Sequence, residues 1–143
     1  MDRATVTELV GHVLAAFNER DLSRLDQCIA PDYQHPNPAR ARGRQGMRDA
    51  VADWLANVEN TRLDLDDLLV DGDRVAARMT FSGRQVGEVL GIPPSGREFS
   101  VSVLDIFVVR DGMFVEHWDL MDRFALQQQL HPTDVKADAT HRP

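Results

Sequence analysis

Cysteine is nearly absent from this chain, which has one thiol, Cys28, in 143 residues. A single thiol excludes an intrachain disulfide and a cysteine-based metal cage. Cys28 falls at helical spacing with Leu22, Leu25 and Ile29. We therefore predict that it is a small core residue and not a nucleophile.

Positive charge is also scarce, since 16 Lys and Arg face 23 Asp and Glu, for a net charge of −7. A nucleic-acid partner would require a basic face, so we expect none. Arg40, Arg42 and Arg44 are a local exception. They alternate with small residues, and we predict that they are solvated loop cations.

Long apolar runs are missing. No stretch approaches the roughly 20 residues that a membrane-spanning helix needs. No signal-peptide core follows Met1-Asp2-Arg3-Ala4. We therefore expect a cytoplasmic protein with no membrane partner.

The motifs that bind metals and cofactors are missing as well. No two of the 5 histidines have the i, i+4 spacing of a zinc helix. No glycine-rich phosphate loop follows a strand and opens a helix. Asp64, Asp66 and Asp67 could form an ion site, but they alternate with leucines and favour a solvated strand face. We expect no metal and no organic cofactor.

The first half of the chain predicts helices. Thr5-Val6-Thr7-Glu8 has the pattern of a capping box, which predicts a helix to about Glu19. Asp21 can cap a second helix through Ala30, and a third is predicted over 47–58. Residues 32–38 contain two prolines and should be extended.

The second half predicts a sheet. Alternating or β-branched runs predict strands over 63–70, 75–81, 100–109 and 113–119, with an Asp-Gly turn before the last. Residues 83–96 form a long loop, and residues 124–130 a last helical turn. This order predicts an α+β fold, with helices on one face of a curved sheet. We expect a single domain over 1–130 and a flexible tail over 131–143.

Three polar groups, two acids and an imidazole, interrupt the otherwise apolar faces of two neighbouring strands. Side chains on a strand alternate between its two faces, so residues of one parity point the same way. Burial of acids and an imidazole in an apolar chamber would shift their pKa values, which is typical of acid/base sites. The inward set is Val101, Val103, Asp105, Phe107 and Val109 on one strand, and His117, Asp119 and Met121 on the next.

The opposite parity makes the outer sheet face apolar too. Trp118 lies there together with Leu104, Ile106 and Val108. A large apolar face rarely stays exposed, so we predict a homodimer through the outer face of the sheet.

The stretch from Gly87 to Arg97, followed by Asp105-Ile106-Phe107, Asp111-Gly112 and Glu116-His117-Trp118-Asp119, carries a family resemblance. It resembles the SnoaL-like polyketide cyclase and ester cyclase family of the NTF2-like superfamily, to which ketosteroid isomerase also belongs. The resemblance implies a cone-shaped α+β barrel. Its helices would pack on a strongly curved, mainly antiparallel sheet around an apolar cavity.

The resemblance also implies roles for particular residues. Asp119 matches the aspartate that serves these cyclases as general acid/base, without metal or organic cofactor. Asp105 stands where the cyclases carry a histidine, and where the isomerases place a protonated aspartic acid. His35 falls where the isomerases carry their aspartate base.

The remaining candidates come from the residues themselves. His117 shares the parity of Asp119 and could tune it, or be a packed histidine. Tyr33 could donate to an oxyanion, although core packing is favoured. We expect substrate contacts from Tyr33, Trp54, Val101, Val103, Phe107 and Met121.

These features favour a cofactor-independent cyclase that acts on a small apolar molecule bearing a carbonyl group. Asp119 would abstract a proton, and ring closure or isomerisation would follow. Asp105, His35 or His117 would hold the enolate oxygen. A hydratase or epoxide hydrolase is one alternative, but it would need an arginine in the site. Arg78, the one arginine predicted within a strand, points outward by parity. A non-catalytic binder of a small apolar ligand is the other alternative.

Overall fold

Helices pack on one five-stranded mixed sheet, which confirms the predicted α+β class. The computed structural model describes residues 1–39 and 42–131. Its elements, in chain order, are α1 (Arg3–Asn18), a 3₁₀ helix (Leu22–Gln27), β1 (Ile29–Gln34), α2 (Gly43–Asn57), β2 (Val58–Asp71), β3 (Arg74–Gln85), β4 (Glu98–Arg110), β5 (Met113–Met121) and α3 (Arg123–Leu130).

The strand order across the sheet is β1-β5-β4-β3-β2, with β1 parallel to β5 and the other neighbours antiparallel. Asp111 and Gly112 join β4 to β5, and both have positive φ, 52° and 75°. That pair of angles suits a type I′ hairpin turn, as the Asp-Gly sequence predicts. The ladders shift register in β2, at 59–62 and 65–67. Such bulges bend a strand and help a long sheet to curve.

The core lies between the inner face of the sheet and the helices. On β3 the side chains alternate as predicted, with Val75, Ala77, Met79 and Phe81 all at most 2% exposed. The predicted core role of Cys28 is confirmed, since it is fully buried. Burial raises the pKa of its thiol to about 12, which leaves it protonated and unreactive.

The first helix begins earlier than predicted. Its N-cap is Asp2, whose carboxylate accepts the backbone N–H of Thr5 at 2.7 Å. The predicted capping box at Thr5 is therefore wrong, because an aspartate three residues earlier provides the cap.

The second predicted helix, over 21–30, is shorter than expected. Asp21 does cap a helix, but it is a 3₁₀ helix that ends at Gln27. Ile29 and Ala30 instead begin β1, because they pair with β5 from the far end of the chain. Pro31 is tolerated in this strand since β1 is at the edge of the sheet.

The third helix and the following strands are longer than predicted. α2 begins at Gly43, four residues earlier than predicted, and gives way at Val58 directly to β2. β3 continues to Gln85, which shortens the predicted 83–96 loop at its start. Gln85 is fully buried and fixes this loop: its Nε2 donates to the Ile92 carbonyl at 2.9 Å, and its Oε1 accepts from Ser95 Oγ at 2.6 Å.

The outer sheet face is apolar, with one correction. Leu104, Ile106 and Trp118 are exposed as predicted, at 48%, 42% and 60%. Val108 is buried instead, at 3%. Leu120, at 73%, extends the exposed set.

The predicted loop arginines differ among themselves. Arg42 is exposed, but Arg44 lies in the first turn of α2, where its Nε donates to the Ile29 carbonyl at 2.8 Å. Arg44 therefore ties α2 to β1 and is not a solvated cation. Arg40, and all of the predicted tail over 131–143 except His131, lie outside the described residues. No helix in the described ranges is long and apolar enough to cross a bilayer.

Candidate active site

A cavity opens between the inner sheet face and the two longer helices. The centre of a water molecule can reach about 110 Å³ of its interior. One water needs about 10–15 Å³ by the same measure, so the cavity has room for a ring-sized ligand. Its lining residues are Phe17, His35, Met47, Ala50, Val51, Trp54, Leu63, Phe81, Val103, Asp105, His117, Asp119 and Met121.

One side of the cavity is aromatic. The ring of Phe81 has its centroid 5.0 Å from Trp54 and 5.6 Å from each of Phe17 and Phe99. Trp54 therefore lies in the wall of the cavity, with its ring edge-to-face against Phe81. Edge-to-face packing of this kind fixes ring orientation as well as burying area.

The opposite side carries the polar groups. In the β4–β5 ladder, Asp105 lies directly across from Asp119, and Phe107 directly across from His117. Directly opposite residues of an antiparallel pair have Cβ atoms about 4.5–5.5 Å apart. The two carboxyl groups are therefore close neighbours in one wall, and His117 precedes Asp119 on the same face.

The two acids differ in burial. The Oδ1 atom of Asp105 is shut off from solvent and has no hydrogen-bond partner in the described structure. Burial, assisted by the negative charge of Asp119, raises the pKa of Asp105 to about 7. Near neutral pH a large fraction of Asp105 is therefore protonated, and it can donate a hydrogen bond.

Asp119 lines the cavity but is exposed, which corrects the expectation that both acids are enclosed. The edge strand β1 is short, and its last residue, Gln34, pairs with Glu116. Beyond Glu116, no strand of the described residues neighbours β5 on that side, so Asp119 reaches the mouth of the cavity. A carboxylate there keeps its hydration while facing the interior.

His117 is enclosed by rings. It is 6% exposed, and its ring centroid lies 5.7 Å from Tyr33, 5.6 Å from Phe107 and 5.4 Å from His35. Its Nδ1 is buried and has no hydrogen-bond partner among the described residues. Burial lowers the pKa of His117 to about 4, while the charge of Asp119 acts in the opposite direction. The imidazole is therefore uncharged at neutral pH.

His35 also lines the cavity, with its ring edge-on to that of His117. Its Nδ1 accepts the backbone N–H of Asn37 at 3.0 Å. An uncharged imidazole that accepts at Nδ1 carries its proton on Nε2. The predicted polar role of His35 therefore has a defined tautomer.

Three residues predicted to contact a substrate lie behind the cavity wall. Tyr33, Val101 and Phe107 are 1%, 3% and 1% exposed and are absent from the lining. Their inward parity is confirmed, but inward residues deeper in the fold are covered; Phe107, for example, stacks on Phe114 at 4.3 Å. The Tyr33 hydroxyl is buried and cannot reach an oxyanion in the cavity.

Trp54, Val103 and Met121 do line the cavity, as predicted. The lining residues that sequence reasoning missed come mostly from helices. Met47 and Val51 belong to the apolar stripe of α2, and Phe17 to that of α1. The stripes were visible in the sequence, but they do not show which members border a space. Within the described ranges no group of three or more His, Cys, Asp or Glu could hold a metal ion.

The fold and the cavity together are those of the NTF2-like α+β proteins. The sequence profile described as SnoaL-like polyketide cyclase matches residues 7–130. Because the match spans most of the chain, the protein belongs to the SnoaL-like polyketide cyclase family.

Individual relatives agree with this assignment. The chain is 29% identical to the aklanonic acid methyl ester cyclase DnrD of Streptomyces peucetius, over 89% of this chain and 91% of that one. It is 26% identical to the nogalonic acid methyl ester cyclase of Streptomyces nogalater, over 82% and 91%. The structure of TsrD from Streptomyces laurentii is 56% identical, with a TM-score of 0.89 over 92% of this chain and 98% of that one.

The raised pKa of Asp105 predicts a pH-dependent stability. Unfolding returns the pKa of this carboxyl group from about 7 to its ordinary value of 3.8. The folded state therefore holds the proton more tightly, and the free energy of unfolding falls as pH rises between these values. Over that range the loss is on the order of 4 kcal/mol. Asp105→Asn should remove this loss, which urea unfolding at pH 4, 6 and 8 would measure.

The comparison with wild type isolates Asp105, because the opposite contribution of His117 is common to both proteins. Its lowered pKa makes stability rise with pH between about 4 and 6.5. The difference between the free energy of unfolding of Asp105→Asn and that of wild type should thus favour the variant most at pH 8. If the free energies of unfolding of the two proteins changed in parallel with pH, the raised pKa of Asp105 would be contradicted.

Proposed function

We propose that this chain is a cofactor-independent cyclase of apolar carbonyl compounds, in which Asp119 is the base and Asp105 the acid. The observation that carries the proposal is the cross-strand Asp105–Asp119 pair, with one member half-buried, its Oδ1 shut off from solvent, and the other at the mouth. Of two acids with different environments in one site, the ionised one can take and return a proton while the protonated one donates a hydrogen bond to the developing oxyanion.

In the proposed reaction, the Asp119 carboxylate takes a proton from the carbon next to a carbonyl group. The electron pair of that C–H bond forms an enolate, whose oxygen accepts a hydrogen bond from protonated Asp105. The enolate carbon then bonds to a second carbonyl carbon of the same molecule, and the resulting alkoxide takes the proton back from Asp119. The net change is a ring closure, with no atom gained or lost.

His117 supports this chemistry as an uncharged ring, which would not neutralise Asp119 by forming an ion pair with it. His35 carries its proton on Nε2 and is a second candidate donor to the enolate oxygen. A donor aimed at developing charge in a site that excludes water stabilises the transition state most effectively.

The electrostatics of the lining favour a substrate without a free carboxylate. The lining contains two acids and two imidazoles but no described Lys or Arg. A carboxylate on the substrate would meet the charge of Asp119 without compensation, whereas an ester would not. Two of the relatives are named for methyl ester substrates, and we propose a substrate of that class here.

The lining also disfavours the hydratase alternative. Arg78 is exposed and points outward, 4.0 Å from Asp66 on the neighbouring strand. Strands also contain Arg62, Arg74, Arg84 and Arg110, which corrects the expectation of a single strand arginine, but none of them lines the cavity. An arrangement of two acids around an arginine is therefore absent from the described lining.

Asp119→Asn should lower turnover by about 10²–10⁴-fold, the usual contribution of a general base. The purified chain would be incubated with aklanonic acid methyl ester in D₂O, and cyclised product and deuterium uptake at the acidic carbon would be followed by mass spectrometry. The amide keeps the shape of the acid, so affinity for the ester should change little.

Glu116→Gln is the matched control, since it removes a carboxylate from the same strand outside the lining. It should keep wild-type turnover. Undiminished turnover in Asp119→Asn would exclude Asp119 as the base. Binding of the ester without turnover in the wild type, and equal affinity in Asp119→Asn, would instead support the ligand-binding alternative.

We also propose that two copies associate through the outer sheet face. Its apolar side chains form two rows across the strands, because Ile106 lies opposite Trp118 and Leu104 opposite Leu120. The first row continues through Ala76 to Leu69, which is 64% exposed. A flat apolar patch of this kind can pack on its own copy about a two-fold axis.

Leu104→Lys should convert the dimer to a monomer, because it places an unpaired charge at the centre of the patch. Sedimentation velocity at several protein concentrations would measure the effect. Val86→Lys, at a residue that is 44% exposed on the 86–97 loop, is the control and should leave association unchanged. A wild-type protein that sediments as a monomer at every concentration would exclude this interface.

A further inference from the structure

We infer that Tyr33 and Phe107 are positioning residues for the proposed reaction, acting through His117, whose ring they clamp beside Asp119. The role of these residues in catalysis rests on the proposed function. Their effect on the His117 ring does not depend on that function, and neither Tyr33 nor Phe107 lines the cavity. Both were expected to touch the substrate, so the structure gives them a different role.

The strand order creates the clamp. His117 is on β5, which lies between β1 with Tyr33 and β4 with Phe107. The Tyr33 ring stacks on the imidazole at an interplanar angle of 21°, and Phe107 contacts it at 37°. His35 completes the enclosure edge-on, at 85°. The ring is thus held from both flanking strands, which fixes its plane.

The clamp carries an energetic cost that packing alone does not explain. His117 Nδ1 is buried without a hydrogen-bond partner in the described structure. Buried polar groups are nearly always paired, and an exception invites a functional explanation. A leucine or phenylalanine at position 117 would fill similar space without that cost.

The clamp determines the charge and the tautomer of His117. A second proton would place a cation in an apolar enclosure, so the ring stays neutral despite the nearby charge of Asp119. No described group accepts a hydrogen bond from the buried Nδ1, and we therefore assign the single proton to Nε2. The other titratable groups around the ring are Asp105, His35 and Tyr33.

A neutral His117 matters because a protonated one would pair with Asp119. An ion pair stabilises the carboxylate and makes it a weaker base. The aromatic clamp therefore keeps Asp119 available for proton abstraction while its neighbour offers only an N–H group. Without the clamp, the pH below which activity falls should rise, together with the pH at which His117 titrates.

Long-range ¹H–¹⁵N correlation spectra of the ¹⁵N-labelled full chain would test the clamp directly, since they report both the charge and the tautomer of each histidine. His117→Asn identifies the signal. The wild-type ring should be the neutral Nε2–H form at pH 7 and stay neutral to about pH 5. Tyr33→Leu and Phe107→Leu should each raise its titration midpoint by about one pH unit, because water then reaches the ring.

Tyr33→Phe is the matched control, since it keeps the stacked ring and removes only the unpartnered hydroxyl; the midpoint should not move. A wild-type midpoint near the ordinary value of 6.5, or a proton on Nδ1, would overturn the inference even if the leucine variants do not fold. Unchanged midpoints in folded leucine variants would overturn it too. None of these measurements requires turnover. If Asp119 is not the base, the turnover of Asp119→Asn shows it independently of them.

Discussion

In the β4–β5 ladder, the carboxyl group of Asp105 is held directly across from that of Asp119, and the rest of the site depends on this pairing. Burial disfavours a charge on one of the two acids, and the like charge directly opposite adds to this effect, so one acid tends to give up its charge. The more buried member, Asp105, does so. The tight Asp111-Gly112 turn fixes the register, and a slip by one residue would move every one of these side chains to the outer face.

Asp105 and Asp119 have identical side chains, but neighbouring strands shield them from solvent to different extents. This difference makes one an acid and the other a base. The short edge strand β1 ends opposite Glu116 and leaves the end of β5 open to solvent, where Asp119 lies. Deeper in the fold, β1 brings Tyr33 against His117, and the site becomes apolar and closed. One edge strand thus determines both the hydration of Asp119 and the enclosure of the imidazole. No group in the described lining carries a fixed positive charge that would compensate either acid.

The sequence was informative where local alternation decides the structure. The parity of Val101, Val103, Asp105 and Phe107, with the Asp-Gly turn, correctly predicted the inward face and the hairpin. It could not show how far each inward residue is covered, because that depends on strands and helices distant in the chain. Phe107 is therefore buried behind Phe114, while Asp119 reaches solvent. Ile29 and Ala30 fit a helical pattern but form a strand, since their partner is Phe114 and its neighbours.

The most direct measurement of the central claim is the titration of the aspartate side-chain carboxyl carbons by ¹³C NMR, in the wild type and in Asp119→Asn. The account predicts one carboxyl with a midpoint near pH 7, assigned to Asp105 by its loss in Asp105→Asn. It also predicts that this midpoint falls when the charge at position 119 is removed. A wild-type protein in which every aspartate titrates within about one unit of the ordinary value would contradict the account.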